Sequence, residues 1–438
     1  MSSLKLRDYQ VEAIENWFAN DNFGIFEMAT GTGKTFTALS AFKKLSDLHD
    51  KFLTVIACPQ LHLIDQWIKD IKLFHDSDII VFASSNSKRF HQLKELSFDF
   101  SLGLTNKAII ITTHMSLSND ELMNFVNEFK YKSLLIVDEV HGIGSNKQIS
   151  GLNDNFDYRL GLSATPERWF DEVGTQALYD FFGNVVFEFD IGDALEKINP
   201  DTGESYLTPY FYHPIIVDLT DEEMQEYIEL SKRIAYYLNS KHKSSKEKAE
   251  TLILKRKMII NNTEDKLFKL EELLDKYPDL NKTIIFCSPQ QINNVQSLLN
   301  DKGFSQHKFT QSESATKSRN KLMSQREEII KRFEDGSYNI LVAIKCLDEG
   351  VDIPIADTAI IMSSTSNPRE YVQRRGRILR RFPGKEHAHI YDMIVFPRKH
   401  TDYASKISDK EVERYREFAS NAINSYECLQ ILDKYYYR

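Results

Sequence analysis

The sequence predicts an α/β protein made of two tandem parallel-sheet units with a helical stretch between them. Short apolar runs alternate with helix-prone segments from Phe23 to Leu162, which is the strand-then-helix order of a parallel sheet. The alternation starts again at Thr283. Between the two, the strand pattern fades, and Asp221 to Leu238 and Glu247 to Leu274 carry long helical periodicity. The expected segments are residues 1–190, a first α/β unit; 191–265, a connector and helical insertion; 266–400, a second α/β unit; and 401–438, a helical tail.

In the first segment, Leu6, Tyr9, Ile14 and Phe18 share a helical face, with Asp8 placed to cap the start. The strand Phe23 to Phe26 then runs into MATGTGKT, Met28 to Thr35, ahead of the helix-prone Thr37 to Phe42. A strand feeding a Gly-rich turn that opens a helix cradles phosphate, because the helix start offers unpaired N–H groups and a positive dipole end. Lys34 is placed to reach outer phosphates and Thr35 to hold Mg²⁺. Further strands at Phe52 to Ala57, Ala108 to Ile111, Ser133 to Val137 and Leu160 to Leu162 end in CPQLHLIDQW, TTHMSL, DEVH and SATP. Ligands collect beyond the carboxyl ends of such strands, so all of these clusters point to the edge that bears the phosphate loop. Asp138 suits Mg²⁺, Glu139 suits the attacking water, and the hydroxyls of Ser163 and Thr165 are placed to bond His141. Gln10, just ahead of the loop, has an amide that can read an adenine edge.

Asp190 to Pro209 reads as connection and Tyr210 to Leu219 as an isolated strand. The turn NSKHKSSKEK is Lys-rich, and its default reading is a solvated loop. In the second α/β unit, TIIFC, HKFT, Asn339 to Ala343 and Thr358 to Met362 are strands, and no second GKT occurs. Met323 to Phe333 is a helix with surface arginines. QRRGRILRR, Gln373 to Arg381, concentrates five arginines; with Tyr371 onward helical, Arg377 and Arg380 share a face.

Composition is that of a well-cored globular chain, 42% hydrophobic and 27% charged. Four scattered cysteines with no C-x-x-C pair argue against structural zinc or a disulfide framework and for a reducing compartment. With no apolar leader and no run long enough to span a bilayer, no membrane partner and a cytoplasmic location are expected. The net charge of −9 opposes a nucleic-acid partner, but basic patches at Lys241 to Lys257 and Arg369 to Arg381 give local footprints.

In order, LRDYQ, MATGTGKT, CPQLHLIDQW, DEVH, SATP, VAIKCLDEGVDIP and QRRGRILR resemble the motif series of a superfamily 2 helicase of the DExH type, from Leu4 to Arg380. The series is similar to those of type III restriction, phage branch-migration and excision-repair DNA helicases. That family often lacks Gly at the first loop position, which accommodates Met28. The resemblance implies two RecA-like domains that use ATP and Mg²⁺. It assigns Arg7, Gln10, Thr30, Gly31, Thr32, Gly33, Lys34, Thr35, Gly350 and Asp352 to the nucleotide. Thr35 and Asp138 are assigned to the metal, and Lys34, Asp138, Glu139, Gln373, Arg377 and Arg380 to catalysis, the last two as arginine fingers. His141, Ser163 and Thr165 are assigned to coupling, and Gln66, Thr113, His114 and Lys345 to the nucleic-acid strand. Trp67 reads equally as core or as strand contact. The implied function is ATP-driven movement along, or unwinding of, single-stranded, forked or duplex DNA in repair, recombination or phage defence. A nuclease or defence-complex protein is the implied partner. The alternatives are an RNA helicase and an ATP-gated DNA-binding subunit.

Overall fold

The structure is a computed structural model, and it describes residues 5–74, 78–83, 88–144, 146–168, 171–240, 243–310, 313, 323–344, 353–364, 368–398 and 402–436. The chain divides into two compact units, Met1–Tyr206 and Leu207–Arg438. Among the described residues no helix is long and apolar enough to cross a membrane.

The first unit holds seven strands: β1 (Phe23–Met28), β2 (Phe52–Cys58), β3 (Asp78–Phe82), β4 (Lys107–Thr113), β5 (Lys132–Val137), β6 (Tyr158–Ser163) and β7 (Val185–Phe189). They form one parallel sheet in the order β3-β4-β2-β5-β6-β1-β7. β2 is buried at every residue, as a central parallel strand covered on both faces must be. Leu53, Val55, Ala57, Ile110, Leu135 and Val137 form the heart of the core. The registers pair Glu27 with Ser163, Ala57 with Val137 and Cys58 with Thr113. The carboxyl ends of β1, β2, β4, β5 and β6 therefore finish at one edge.

The second unit holds β8 (Tyr210–Val217), β9 (Thr283–Phe286), β10 (Gln306–Phe309), β11 (Ile340–Ala343), β12 (Thr358–Ile361) and β13 (Ala388–Val395), again parallel, in the order β10-β11-β9-β12-β13-β8. The stretch expected as an isolated strand is thus the edge of this sheet, paired with β13 along its whole length. Its Pro214 lacks an N–H, which an edge strand tolerates. On its backbone, the Asn424 amide accepts from Tyr212 N at 3.0 Å and donates to Tyr212 O at 2.9 Å.

The helix expected over Glu247 to Leu274 is two helices, Lys243–Asn262 and Asp265–Lys276. The break falls at the buried Thr263, whose hydroxyl shares its one proton between Glu223 Oε2 at 2.7 Å and Asp218 O at 3.1 Å, while Glu264 N donates to Glu223 Oε1 at 3.1 Å. Those side-chain bonds compete with a continuous helical ladder.

The tail helices Asp402–Ser420 and Ser425–Tyr436 pack on the same sheet. Tyr210 OH donates to Phe418 O at 2.6 Å, and the fully buried Asp392 accepts from Arg414 Nε and Tyr212 OH, both at 3.1 Å. A buried carboxylate is tolerable only with such partners.

Candidate functional site

The phosphate loop is built by backbone geometry. Gly31 and Gly33 take φ of +93° and +89°, values that suit glycine and strain other residues. Gly33 is the N-cap of the helix Lys34–Ser46. A Cβ at Gly33 would also come within 2.9 Å of the Gln10 amide nitrogen. Thr32 Oγ1 donates to Ala29 O at 2.7 Å, and Lys34 Nζ donates to Met28 O at 3.0 Å, so the loop closes over its own lysine. Tyr9 OH donates to Thr32 O, Arg7 donates to Tyr9 OH at 2.9 Å, and Tyr9 stacks on Phe189 at 4.0 Å between centroids. The Arg7–Gln10 segment therefore lies directly against the loop. Asp8 is not the cap of its helix: Arg7 is the N-cap residue, and its N–H donates to Gln10 Oε1 at 3.0 Å.

At the end of β5, Asp138 is pinned from several sides. Its Oδ2 accepts from the Trp67 indole N–H at 3.1 Å and its Oδ1 from Glu139 N at 3.0 Å. Its carbonyl accepts from His114 Nε2 at 2.8 Å, and its own N–H donates to Ala57 O at 2.8 Å. Burial, then the charge of Glu139, push the Asp138 carboxyl up to about 6 against the pull of Lys34. Glu139 sits at φ +44°, a left-handed conformation that costs a non-glycine residue about 1–2 kcal/mol. Such strain is kept where an overdetermined site needs it.

His141 Nδ1 lies 2.8 Å from Ser163 Oγ and 3.5 Å from Glu139 Oε2. The expected His141–Ser163 bond is present, whereas Thr165 joins through its backbone, its N–H donating to Ser163 Oγ at 3.1 Å.

Two residues expected to face a strand are buried. Thr113 is buried and accepts from Ser116 N as a helix cap, and His114, 2% exposed, spends its Nε2 proton on Asp138 O. Burial pushes His114 down to about 4, so the ring is neutral and acts as a donor. Gln66 is exposed, as strand contact requires. Trp67 is core by burial, yet its one polar atom serves the acid pair. Sequence reasoning also missed Arg168, whose guanidinium donates to the carbonyls of His141 and Ile143 and pairs with Asp171. A Cβ on Gly144 would fall 1.8 Å from it. Arg168 stands three residues beyond Thr165, and that position was the available signal.

In the second unit, Gln373 and Arg377 lie on the helix Pro368–Ile378, both half-buried. Arg380 falls just past its end, in an isolated antiparallel bridge with Leu207, so the shared helical face expected for Arg377 and Arg380 does not extend to Arg380. The other arginines of the run are not equivalent. Arg375 is fully buried and pairs with Glu417 Oε1 at 2.5 Å and Glu417 O at 2.6 Å, and Arg374 donates to Ser363 O at 3.0 Å. Lys345, Gly350 and Asp352 lie outside the described residues.

A triphosphate with Mg²⁺ fits the first unit's edge. The left-handed glycines open a backbone cradle, and Thr30 Oγ1 and Glu139 Oε2 are buried there with no hydrogen-bond partner among the described residues. A carboxylate pinned beside the loop suits a hard cation. Fold and edge together define a nucleoside-triphosphate hydrolase with a second parallel-sheet unit.

Comparison with known proteins narrows the class. A family model described as type III restriction enzyme, res subunit, matches residues 3–168, and the helicase conserved C-terminal domain matches residues 265–382. The DNA 3'-5' translocase XPB2 of Sulfurisphaera tokodaii is 30% identical over 398 residues, covering 86% of this chain and 79% of the relative. Among solved structures, the type ISP restriction-modification enzyme LlaBIII bound to DNA superposes with a TM-score of 0.63 at 18% identity, over 95% of this chain. This chain spans only 30% of LlaBIII. The Pyrococcus furiosus Hef helicase domain superposes with a TM-score of 0.53 at 17% identity, over 92% of this chain and 98% of that domain. The chain belongs to the superfamily 2 helicases and translocases of the DExH type and is an ATP-hydrolysing enzyme of that family.

Proposed function

We propose that this enzyme is a motor that couples ATP hydrolysis to movement along, or unwinding of, DNA. The observation that carries the reading is the convergence at one sheet edge of a phosphate loop, a pinned acidic pair and the His141–Ser163 link. Lys34 and the loop N–H groups of Thr30 to Thr35 bind the phosphates, and Gln10 and Arg7 serve the base side of the nucleotide. Thr35 and Asp138 hold Mg²⁺, which supplies charge neutralisation on the phosphate oxygens. Glu139 takes the proton of the attacking water. Arg377 and Arg380, with Gln373, answer the charge that develops on the γ-phosphate, because guanidinium is a permanent forked cation; this assignment rests on motif order. His141, Ser163 and Thr165 relay the nucleotide state to the turn after β6, and Gly350, Asp352 and Lys345 keep the coupling and strand roles that the motif series gives them.

DNA as the track is supported by the likeness to the DNA 3'-5' translocase XPB2. Contacts to phosphate and sugar make binding steeply salt-dependent and nearly indifferent to sequence. A nuclease or defence-complex partner, expected from the motif series, stays part of this reading.

The test compares ATP hydrolysis with single-stranded, duplex and forked DNA and with RNA. DNA is expected to stimulate it and RNA not, with Lys34→Ala silent throughout. Equal stimulation by RNA removes the DNA assignment, and full activity in Lys34→Ala removes the site.

A further inference from the structure

Arg380 has an uncommon support. The helix that carries Arg377 ends at Ile378; Leu379 N still donates to Arg375 O at 3.0 Å, but Arg380 N reaches Arg377 O only at 3.4 Å. From here the main chain is held by backbone and side-chain groups outside the helix. Thr208 N donates to Leu379 O at 2.6 Å, and Thr208 Oγ1 to Arg380 O at 3.3 Å. On the other side the chain turns through Phe382, Pro383 and Gly384, with Gly384 at φ +80° and Lys385 N donating to Phe382 O at 3.0 Å. This turn folds the Lys385 side chain back beneath Arg380.

The Lys385 ammonium, on a residue 8% exposed, donates to four carbonyls: Ala356 at 2.6 Å, Arg380 at 3.1 Å, Pro354 at 3.2 Å, and Ile378. One of these, Ile378, is among the orphan acceptors at the negative end of the helix, and Arg380 O lies two residues past it. The other two, Pro354 and Ala356, stand two and four residues after Asp352 in the sequence. Three N–H donors serve four acceptors, so at least one proton is shared. An ammonium taken out of water is costly, and an apolar side chain would fill the space without that cost. What an apolar side chain would not do is fix these carbonyls relative to one another.

We propose that Lys385 is a positioning residue for Arg380. Its ammonium fixes the main chain from which the Arg380 guanidinium projects, and ties that main chain to the Ile353–Ala356 turn. The inference rests on the reading of Arg380 as a cation for the γ-phosphate.

The experiment is a double-variant cycle on the full chain with Lys385→Met, Arg380→Ala and both together. DNA-stimulated ATP hydrolysis is measured well below each variant's melting temperature. Lys385→Met is expected to lower kcat by about tenfold with KM for ATP kept, since a misplacement of about 1 Å is enough for such a loss. The double variant is expected to be no slower than Arg380→Ala alone, because residues that act as one unit are not additive. Should Lys385→Met not fold by circular dichroism, Lys385→Gln, which keeps two donors, replaces it in the cycle. A lower melting temperature with unchanged kcat, or losses that multiply in the double variant, overturns the inference while leaving the role of Arg380 intact. Full kcat in Arg380→Ala removes the underlying reading itself.

Discussion

The two units share an all-parallel sheet but hold their functional groups by different means. In the first, the groups stand where strands end. The loop glycines, the Lys34 helix start and the acid pair follow β1 and β5 within a few residues, and left-handed backbone at Gly31, Gly33 and Glu139 sets their directions. In the second, no phosphate loop follows a strand among the described residues. Its arginines are held by side chains from beyond their helix: Arg375 by Glu417, and the main chain of Arg380 by Thr208 far back in the sequence and by Lys385 five residues on. The phosphate loop is thus set by local backbone, while the acid pair leans in addition on Trp67 and His114.

Removal of the proposed base gives the largest effect. Glu139→Gln is expected to slow hydrolysis by about 100-fold or more while ATP still binds, as read by single-turnover kinetics and nucleotide fluorescence. Next comes Trp67→Phe, which keeps the ring and deletes the donor to Asp138. It is expected to weaken Mg²⁺-dependent nucleotide binding by about tenfold, with the melting temperature nearly unchanged. If Trp67 is core and nothing more, binding stays as it was and only stability moves.

In the second unit, Glu417→Ala leaves the Arg375 guanidinium buried without its carboxylate. A cost of about 2 kcal/mol is expected in denaturant unfolding, below the usual figure for a broken buried pair because Glu417 is 42% exposed. ATP affinity at the first unit is expected to stay constant. A loss of affinity would break the contrast between the units.

The smallest effect is in pH. His114 is depressed to about 4 from an ordinary 6.5, so its neutral form contributes stability that is lost as pH falls from about 6.5 towards 4. Asp138, raised to about 6, works the other way: with no cation bound, its ionisation lowers stability as pH rises from about 4 to 6. The two slopes oppose each other. His114→Asn is therefore expected to lose less stability than the parent on acidification, measured by urea midpoints between pH 7 and pH 4.5.

The same contrast explains what was legible in the sequence. MATGTGKT, DEVH and SATP carry their geometry with them, because strand, turn and helix start are contiguous, and the edge they form could be read in order. The β8 pairing could not, since Tyr210 to Val217 meets Ala388 to Val395 across a long separation and strand alternation does not encode the partner. The burial of His114 and Thr113 was not legible, because a polar pair after a strand looks the same whether it faces solvent or its neighbours; here Thr113 caps the helix that follows and His114 meets Asp138 O. Trp67 and Lys385 were illegible for the same reason: an apolar helix position and a lysine after a Pro-Gly turn show their tasks only once the carboxylate and carbonyls they meet are in space.

The most direct test of the central claim is DNA-stimulated ATP hydrolysis by Lys34→Ala and Arg380→Ala measured side by side with ATP binding. The account expects both to lose turnover, Lys34→Ala together with ATP affinity and Arg380→Ala with affinity largely kept. Turnover at the parent rate in either variant would contradict it.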